Sequence, residues 1–268
     1  MTSARRPPSA TGSATRPGCC VTVADVEAIE RATVAAVAPR EVLEIGGWLV
    51  ALNDGTIRRA ASAVPLSHDL AADLGVIDQI EAAYAERGLA PAFRIADAPG
   101  LEGVRAELAQ RGYGFEQPTL VKVGEAGPMI AAARGPAASV AEAPDAGWAR
   151  VFTSKGFDVA DGESRVAALT RSPDAVYGQI AEGDMSLAVG VAAFGHGWAS
   201  VHGMRTDASR RGEGLAGRVL AGLAAAAQAR GVERVFLQVE EGNTGARSLY
   251  RRAGFKQAWR YFYWSRRA

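Results

Sequence analysis

Ser209-Arg210-Arg211-Gly212-Glu213-Gly214-Leu215-Ala216-Gly217 decides how this chain is read. Two arginines lead into a loop with glycine at alternate positions, and a long apolar stretch follows at once. A helix starting at those glycines turns its unpaired N–H groups and the positive end of its dipole back onto the loop. Glycine lets an anion come close to that backbone, so the stretch reads as a phosphate cradle. An ordinary strand-to-helix turn would use the same glycines, and short glycine-rich matches arise by chance. The flanking elements must decide.

Downstream, Leu215, Val219, Leu220, Leu223 and Ala227 fall on one face of a helix that Gly231 ends. Arg234 to Val239 is rich in strand formers. Asn243 caps a helix that Gly254 terminates, and Lys256 to Trp264 is a closing aromatic strand. Upstream, Val176–Glu182, Ser186–Phe194 and Trp198–Thr206 are strands joined by tight glycine-containing turns, an antiparallel meander. Before them lie a short strand, Ser139–Ala143, and a helical stretch from Trp148 to Thr170 that breaks at Gly156. Gly124 to Pro136 is rich in Gly, Ala and Pro and marks a boundary, with a linker over 126–137.

The part before that boundary, residues 21–125, has its own elements. Val23 to Val37 has helical spacing, with Glu27, Glu30 and Arg31 on the outer face. Glu41 to Leu52 reads as a strand, Asn53-Asp54-Gly55 as a hairpin turn and Thr56 to Val64 as its return, with Trp48 in the core. Helices follow over Leu70–Arg87 and Leu101–Arg111, and strands over Ala92–Ile95 and Thr119–Val123. Residues 1–20, polar and rich in Pro, Ser and Arg, read as a disordered tail.

Composition sets the bounds. A 268-residue chain with 48% hydrophobic and 22% charged residues is that of a globular protein of one or two domains. A net charge of +1 gives no electrostatic case for binding nucleic acid or an anionic membrane, and no apolar run is long enough to span one. Cys19 and Cys20 are the only cysteines and are adjacent, so a disulfide framework is excluded and a reducing cytoplasm is expected.

Gly212-Glu213-Gly214-Leu215-Ala216-Gly217 is literally G-x-G-x-x-G, and Glu240 lies near the distance of a ribose-binding acid. Against a dinucleotide fold, five residues separate the strand from the first glycine, the incoming strand belongs to a meander, and fewer than thirty residues follow Glu240. The loop instead resembles that of the GNAT superfamily, the acyl-CoA N-acyltransferases, whose form Arg/Gln-x-x-Gly-x-Gly/Ala is met by Arg211-Gly212-Glu213-Gly214-Leu215-Ala216. A second element, Asn243-Thr244-Gly245-Ala246-Arg247-Ser248-Leu249-Tyr250-Arg251-Arg252-Ala253-Gly254-Phe255, resembles the superfamily's Asn-x-x-Ala-x-x-Leu-Tyr-x-x-x-Gly-Phe. Glu107 to Tyr113 echoes Leu249 to Phe255 when Gly112 is laid on Gly254, which puts Leu108 at the place of Tyr250. No glycine loop stands between Val64 and Ile80. The resemblance therefore implies two GNAT-like domains of α/β (α+β) type, each a mixed, mostly antiparallel twisted sheet flanked by helices. Residues 21–125 are the degenerate copy, and residues 138–268 carry the activity.

What the resemblance implies chemically is acetyl transfer from acetyl-CoA, as cosubstrate, to a primary amine of a small molecule or peptide, by a monomer or homodimer. Arg211, Gly212, Glu213, Gly214, Leu215 and Ala216 hold the pyrophosphate. Met204, Arg205 and Thr206 pair with the pantetheine arm, a backbone N–H near Met204 polarises the thioester, and Asn243 contacts the cofactor. Tyr250 stands at the general-acid position; a phenol with a pKa near 10 keeps its proton at neutral pH. The superfamily's glutamates are replaced by Gln238 and Trp198, which leaves Glu240 and His202 as alternative bases, with no assignment between them. A coenzyme A-binding sensor that has lost catalysis is the competing reading.

Overall fold

A computed structural model of the chain describes residues 21–69, 74–154 and 156–266. The tail assigned to residues 1–20, and residues 70–73 of the helix expected from Leu70, lie outside them. Helix α1 (Val23–Val37) opens on a capping box: Thr22 accepts from the Asp25 N–H, and Asp25 accepts from the Thr22 N–H. Glu30 is not on an outer face. It is 2% exposed and bonded at 2.5 Å to the guanidinium of Arg94. The reason is that α1 buries a wide arc, with Val26, Ile29, Thr33, Val34 and Val37 all enclosed.

The first hairpin also differs from the reading of the sequence. Strands β1 (Glu41–Ile45) and β2 (Trp48–Leu52) meet at Gly46-Gly47, where φ is +54° and +79°. Two adjacent positive φ values define a tight two-residue turn, which glycine adopts without steric cost. β2 is buried at every residue, so no alternation marks where the chain reverses. Thr56–Val64 is not a strand. Arg58–Ala61 forms a 3₁₀ turn, and only Ala63–Pro65 continues as β3. The remainder follows as α2 (Val76–Ala85), β4 (Ala92–Ala96), α3 (Glu102–Gln110) and β5 (Gly114–Glu125). Helix α4 (Ala126–Ala131) occupies the Gly/Ala/Pro-rich stretch, with Met129 buried.

The rest of the chain keeps close to expectation. β6 (Ser139–Ala141), α5 (Ala146–Arg150) and α6 (Val159–Leu169) precede the antiparallel meander of β7 (Ala175–Glu182), β8 (Met185–Gly195) and β9 (Trp198–Thr206). Then come α7 (Leu215–Ala229), β10 (Arg234–Glu240), α8 (Thr244–Arg252) and β11 (Lys256–Ser265). Leu215, Val219, Leu220, Leu223 and Ala227 are the buried face of α7, as their spacing predicts. Gly178 and Gly190 let this helix sit close: a Cβ would stand 3.1 Å from Leu223 at Gly178, and 3.0 Å from Val219 at Gly190.

Among the described residues, the strands form one sheet in the order β1-β2-β3-β4-β11-β5-β10-β9-β8-β7-β6. β3 with β4 and β9 with β10 are parallel, and the other neighbours are antiparallel. The final strand of each half lies between strands of the other: β11 between β4 and β5, and β5 between β11 and β10. The registers repeat too. With Gly112 laid on Gly254, Val121 falls on Tyr263; Val121 pairs with Gln238 and Tyr263 pairs with Arg94. Arg94 therefore holds in β4 the place that Gln238 holds in β10. No helix among the described residues is long and apolar enough to cross a membrane.

Candidate active site

The glycine loop is built by backbone conformation. Gly212 has φ +89°, and Gly214, the residue before α7, has φ +81°. A Cβ at either would meet nothing within 4 Å, so protein packing does not select glycine there. Positive φ and open space above the backbone do, and both suit a ligand that lies against N–H groups. Of the two arginines, Arg210 is committed to Glu182 at 2.9 Å and to Glu213 at 2.8 Å. That ion pair offsets the negative charge of Glu213 in the loop. Arg211 makes no ion pair among the described residues, and its guanidinium lies 5.9 Å from the Phe157 ring.

A cavity of about 410 Å³ opens beside the loop, lined by Gly212, Gly214, Gly217, Leu249, Arg134 and Arg252, among others. Met129 and Ala132 at α4 close one wall. Arg134 and Arg252 add positive charge that motif reading missed. One lies just past α4 and the other late in α8, and only folding brings them to the loop. Glycine N–H groups, a helix N-terminus and three arginines with no carboxylate partner among the described residues fit a pyrophosphate-bearing cofactor.

Next to the loop the sheet opens. β9 and β10 pair only from Ala199↔Val235 to Val201↔Leu237. Beyond that, His202–Thr206 and Gln238–Glu240 diverge, so the β9 edge facing β10 is free of ladder partners. A register shift against β8 between Val189 and Val191, with Gly203 at φ +61°, marks a bulge that re-aims this edge. Met204 packs toward the α7 core cluster. Arg205 points the other way: its guanidinium lies 4.1 Å over Phe157 and 5.0 Å over Phe152, with Asp161 at 3.3 Å. Burial draws the Arg205 pKa down. Thr206 still pairs with Ala188.

Tyr250 is 7% exposed and belongs to the same core cluster as Leu215, Val219, Leu237 and Val239. Its ring meets Phe255 edge-on at 5.8 Å, and burial pushes the phenol up to about 12. Asn243 caps α8 by accepting from the Ala246 N–H at 3.1 Å. Gly212, Glu213 and Gly214 thus line one cavity with Leu249 of α8, and Met204 and Tyr250 belong to or pack on the core cluster that α7 covers.

His202 stands on the α1 side of the sheet, and Glu240 at the end of β10. His202 lies against α1, with Nδ1 3.0 Å from the Ser200 carbonyl, so Nδ1–H donates and Nε2 is left as a buried, unpartnered acceptor. Burial first, and the charge of Arg59 second, hold its pKa at about 4. Glu240 accepts from Gln117 Nε2 at 2.6 Å at the end of β10. Gln238, at the position of a missing glutamate, bonds Thr33, Tyr261 and Arg59.

The open parallel strand pair beside a glycine loop and helix defines the GNAT acyltransferase fold. A GCN5-related N-acetyltransferase from Kribbella flavida superposes with a TM-score of 0.68 at 18% identity, over 91% of this chain and 96% of that one. One from Sphaerobacter thermophilus gives 0.58 at 18% identity, over 91% and 92%. A tandem GNAT protein from the clavulanic acid biosynthesis pathway gives 0.58 at 12% identity, over 90% and 94%. No curated protein matches by sequence. Residues 23–264 match a family model, and the chain belongs to that family, described as "Probable histone acetyltransferase Rv0428c C-terminal".

Proposed function

We propose that the protein is an acetyl-CoA-dependent N-acetyltransferase acting on a primary amine of a small molecule or peptide. Residues 138–268 form the working domain, residues 21–125 a degenerate copy, and residues 126–137 the join. The observation that carries this reading is the parting of β9 from β10 along the stretch of β9 that leads into the Gly212–Gly214 loop. Acetyl-CoA supplies an acetyl group already activated as a thioester. Arg211 and the N–H groups of residues 212–216 hold the pyrophosphate. The free edge of Met204, Arg205 and Thr206 orients the arm, and the bulge at Gly203 aims a backbone N–H at the carbonyl oxygen. The amine nitrogen bonds to the acetyl carbon as the carbon–sulfur bond breaks. Tyr250 gives its proton to the departing thiolate and recovers one from the nitrogen through solvent.

The family description, a probable histone acetyltransferase, makes a histone amine one acceptor of this class. The test is coenzyme A release on an amine panel of amino acids, polyamines, lysine peptides and aminoglycosides. Silence across all of these sinks the enzyme reading. A coenzyme A-binding sensor is the second reading, favoured by Gln238 standing where the superfamily has a base and by the low basicity of His202. It requires that Tyr250→Phe leave every measured output unchanged.

A further inference from the structure

The geometry points to Arg59 as an anion subsite for the acceptor, so that the preferred substrate is an amine that also carries a carboxylate, such as a small amino acid. This rests on the acetyltransferase reading and specifies the side of the site opposite coenzyme A.

Arg59 belongs to the 3₁₀ turn Arg58–Ala61 of the first half, yet it lines the gap where β9 and β10 separate, together with His202, Gln238 and Thr33. It is half-buried, and among the described residues its hydrogen bond runs from Nη1 to Gln238 Oε1 at 3.4 Å. Nε–H and the Nη2 donors have no acceptor among the described residues, and no carboxylate lies in ion-pair range. Glu30 feels the charge of Arg59, but its carboxylate is bonded to Arg94 at 2.5 Å. Arg58 takes Glu116 at 2.9 Å, and Gln117 holds Glu240 at 2.6 Å. Gln238, an amide, orients Arg59 without neutralising it.

A guanidinium with an open fork of donors matches a carboxylate geometrically. The gap itself has no room for a water molecule. A carboxylate therefore docks at its mouth, on the free donors of Arg59, with the amine directed at the open ends of β9 and β10. The same charge disfavours a lysine-rich peptide, whose neighbouring ammonium groups would meet an unpaired cation.

The test pairs glycine, β-alanine and larger amino acids with their carboxamides. It measures kcat/KM for acetylation and, separately, calorimetric binding to the protein loaded with coenzyme A. The wild type should prefer acid over amide by about tenfold or more, the scale of one charge-assisted contact. In Arg59→Gln the ratio should fall to near one, while Arg59→Lys keeps part of it. A melting shift with coenzyme A checks that each variant is folded. Equal handling of acids and amides by the wild type, an unchanged ratio in Arg59→Gln, or best turnover on a lysine-rich peptide overturns the proposal. If no amine is acetylated but calorimetry shows carboxylate binding lost in Arg59→Gln, the subsite stands and the catalytic reading falls.

Discussion

The Tyr261 hydroxyl donates to the side-chain oxygen of Gln238 at 2.8 Å, linking β11 to β10 across the intervening strand β5. The Gln238 nitrogen donates to Thr33 Oγ1 of α1 at 2.9 Å. One amide thus fastens a helix of the first half to two strands beside the open edge. Gln238→Leu should destabilise the fold by about 1–3 kcal/mol, because it strands the buried Tyr261 hydroxyl and Thr33. Tyr261→Phe, which leaves the Gln238 amide its bonds to Thr33 and Arg59, should cost less. Urea unfolding midpoints decide, and a Gln238→Leu variant as stable as wild type would show that the network contributes nothing.

Two glycines of α7 and its entrance separate binding from folding. Gly214 needs φ +81° and has open space around it, whereas a Cβ on Gly222 would lie 2.6 Å from the Ala138 carbonyl oxygen. Gly214→Val should cost about 1–2 kcal/mol of backbone strain and abolish the melting shift produced by coenzyme A. Gly222→Ala should lower the melting temperature and keep that shift. Differential scanning fluorimetry with and without coenzyme A reads both, and the reverse pattern would put the ligand elsewhere.

Those glycines show what a sequence reveals. The loop, α7, the meander and the α8 cap are local patterns, written in consecutive residues with fixed spacing, and they stand where the spacing puts them. The Gly46-Gly47 turn was hidden because β2 is buried on both sides and lacks alternation. Glu30 reads as a surface residue until β4 brings Arg94 beneath it. The interleaving of β5 and β11, the approach of Arg59 to Gln238, and Arg134 and Arg252 at the cavity are long-range pairings that no local pattern encodes. The candidate site is legible on its cofactor side, where it follows a motif. Around His202 and Gln238 the wall is built by Thr33, Ala36, Val37 and Arg59 of the first half, far away in sequence.

Tyr250→Phe preserves the packing against Phe255 and removes only the hydroxyl. If the phenol protonates the thiolate, kcat should fall by about 10²–10⁴ with little change in coenzyme A affinity. Burial lifts this phenol to about 12, so its proton-donating form persists through alkaline assay conditions. The wild-type rate should therefore show no loss attributable to Tyr250 between about pH 8 and pH 10. Steady-state rates across that range, beside calorimetric Kd values, check it; an equal fall in affinity and kcat would assign Tyr250 to packing.

His202 makes the fold acid-sensitive. It is 6% exposed and uncharged, with a pKa of about 4 against about 6.5 in an unfolded chain, and burial is the larger cause and Arg59 the second. Because the folded value is the lower one, the unfolded state takes up the proton first as pH falls. The stabilisation is complete above about pH 6.5 and disappears between about pH 6.5 and pH 4. Linkage gives a loss of roughly 2 kcal/mol between pH 7.5 and pH 5 from this residue. His68, also drawn down to about 4 by burial and then by Arg94, adds a smaller share because it is partly exposed. His202→Leu should be weaker at neutral pH, having lost the bond to the Ser200 carbonyl, yet lose less stability on acidification. Urea midpoints of both proteins at the two pH values measure this directly. Parallel losses in wild type and variant would mean that His202 is not the titrating group.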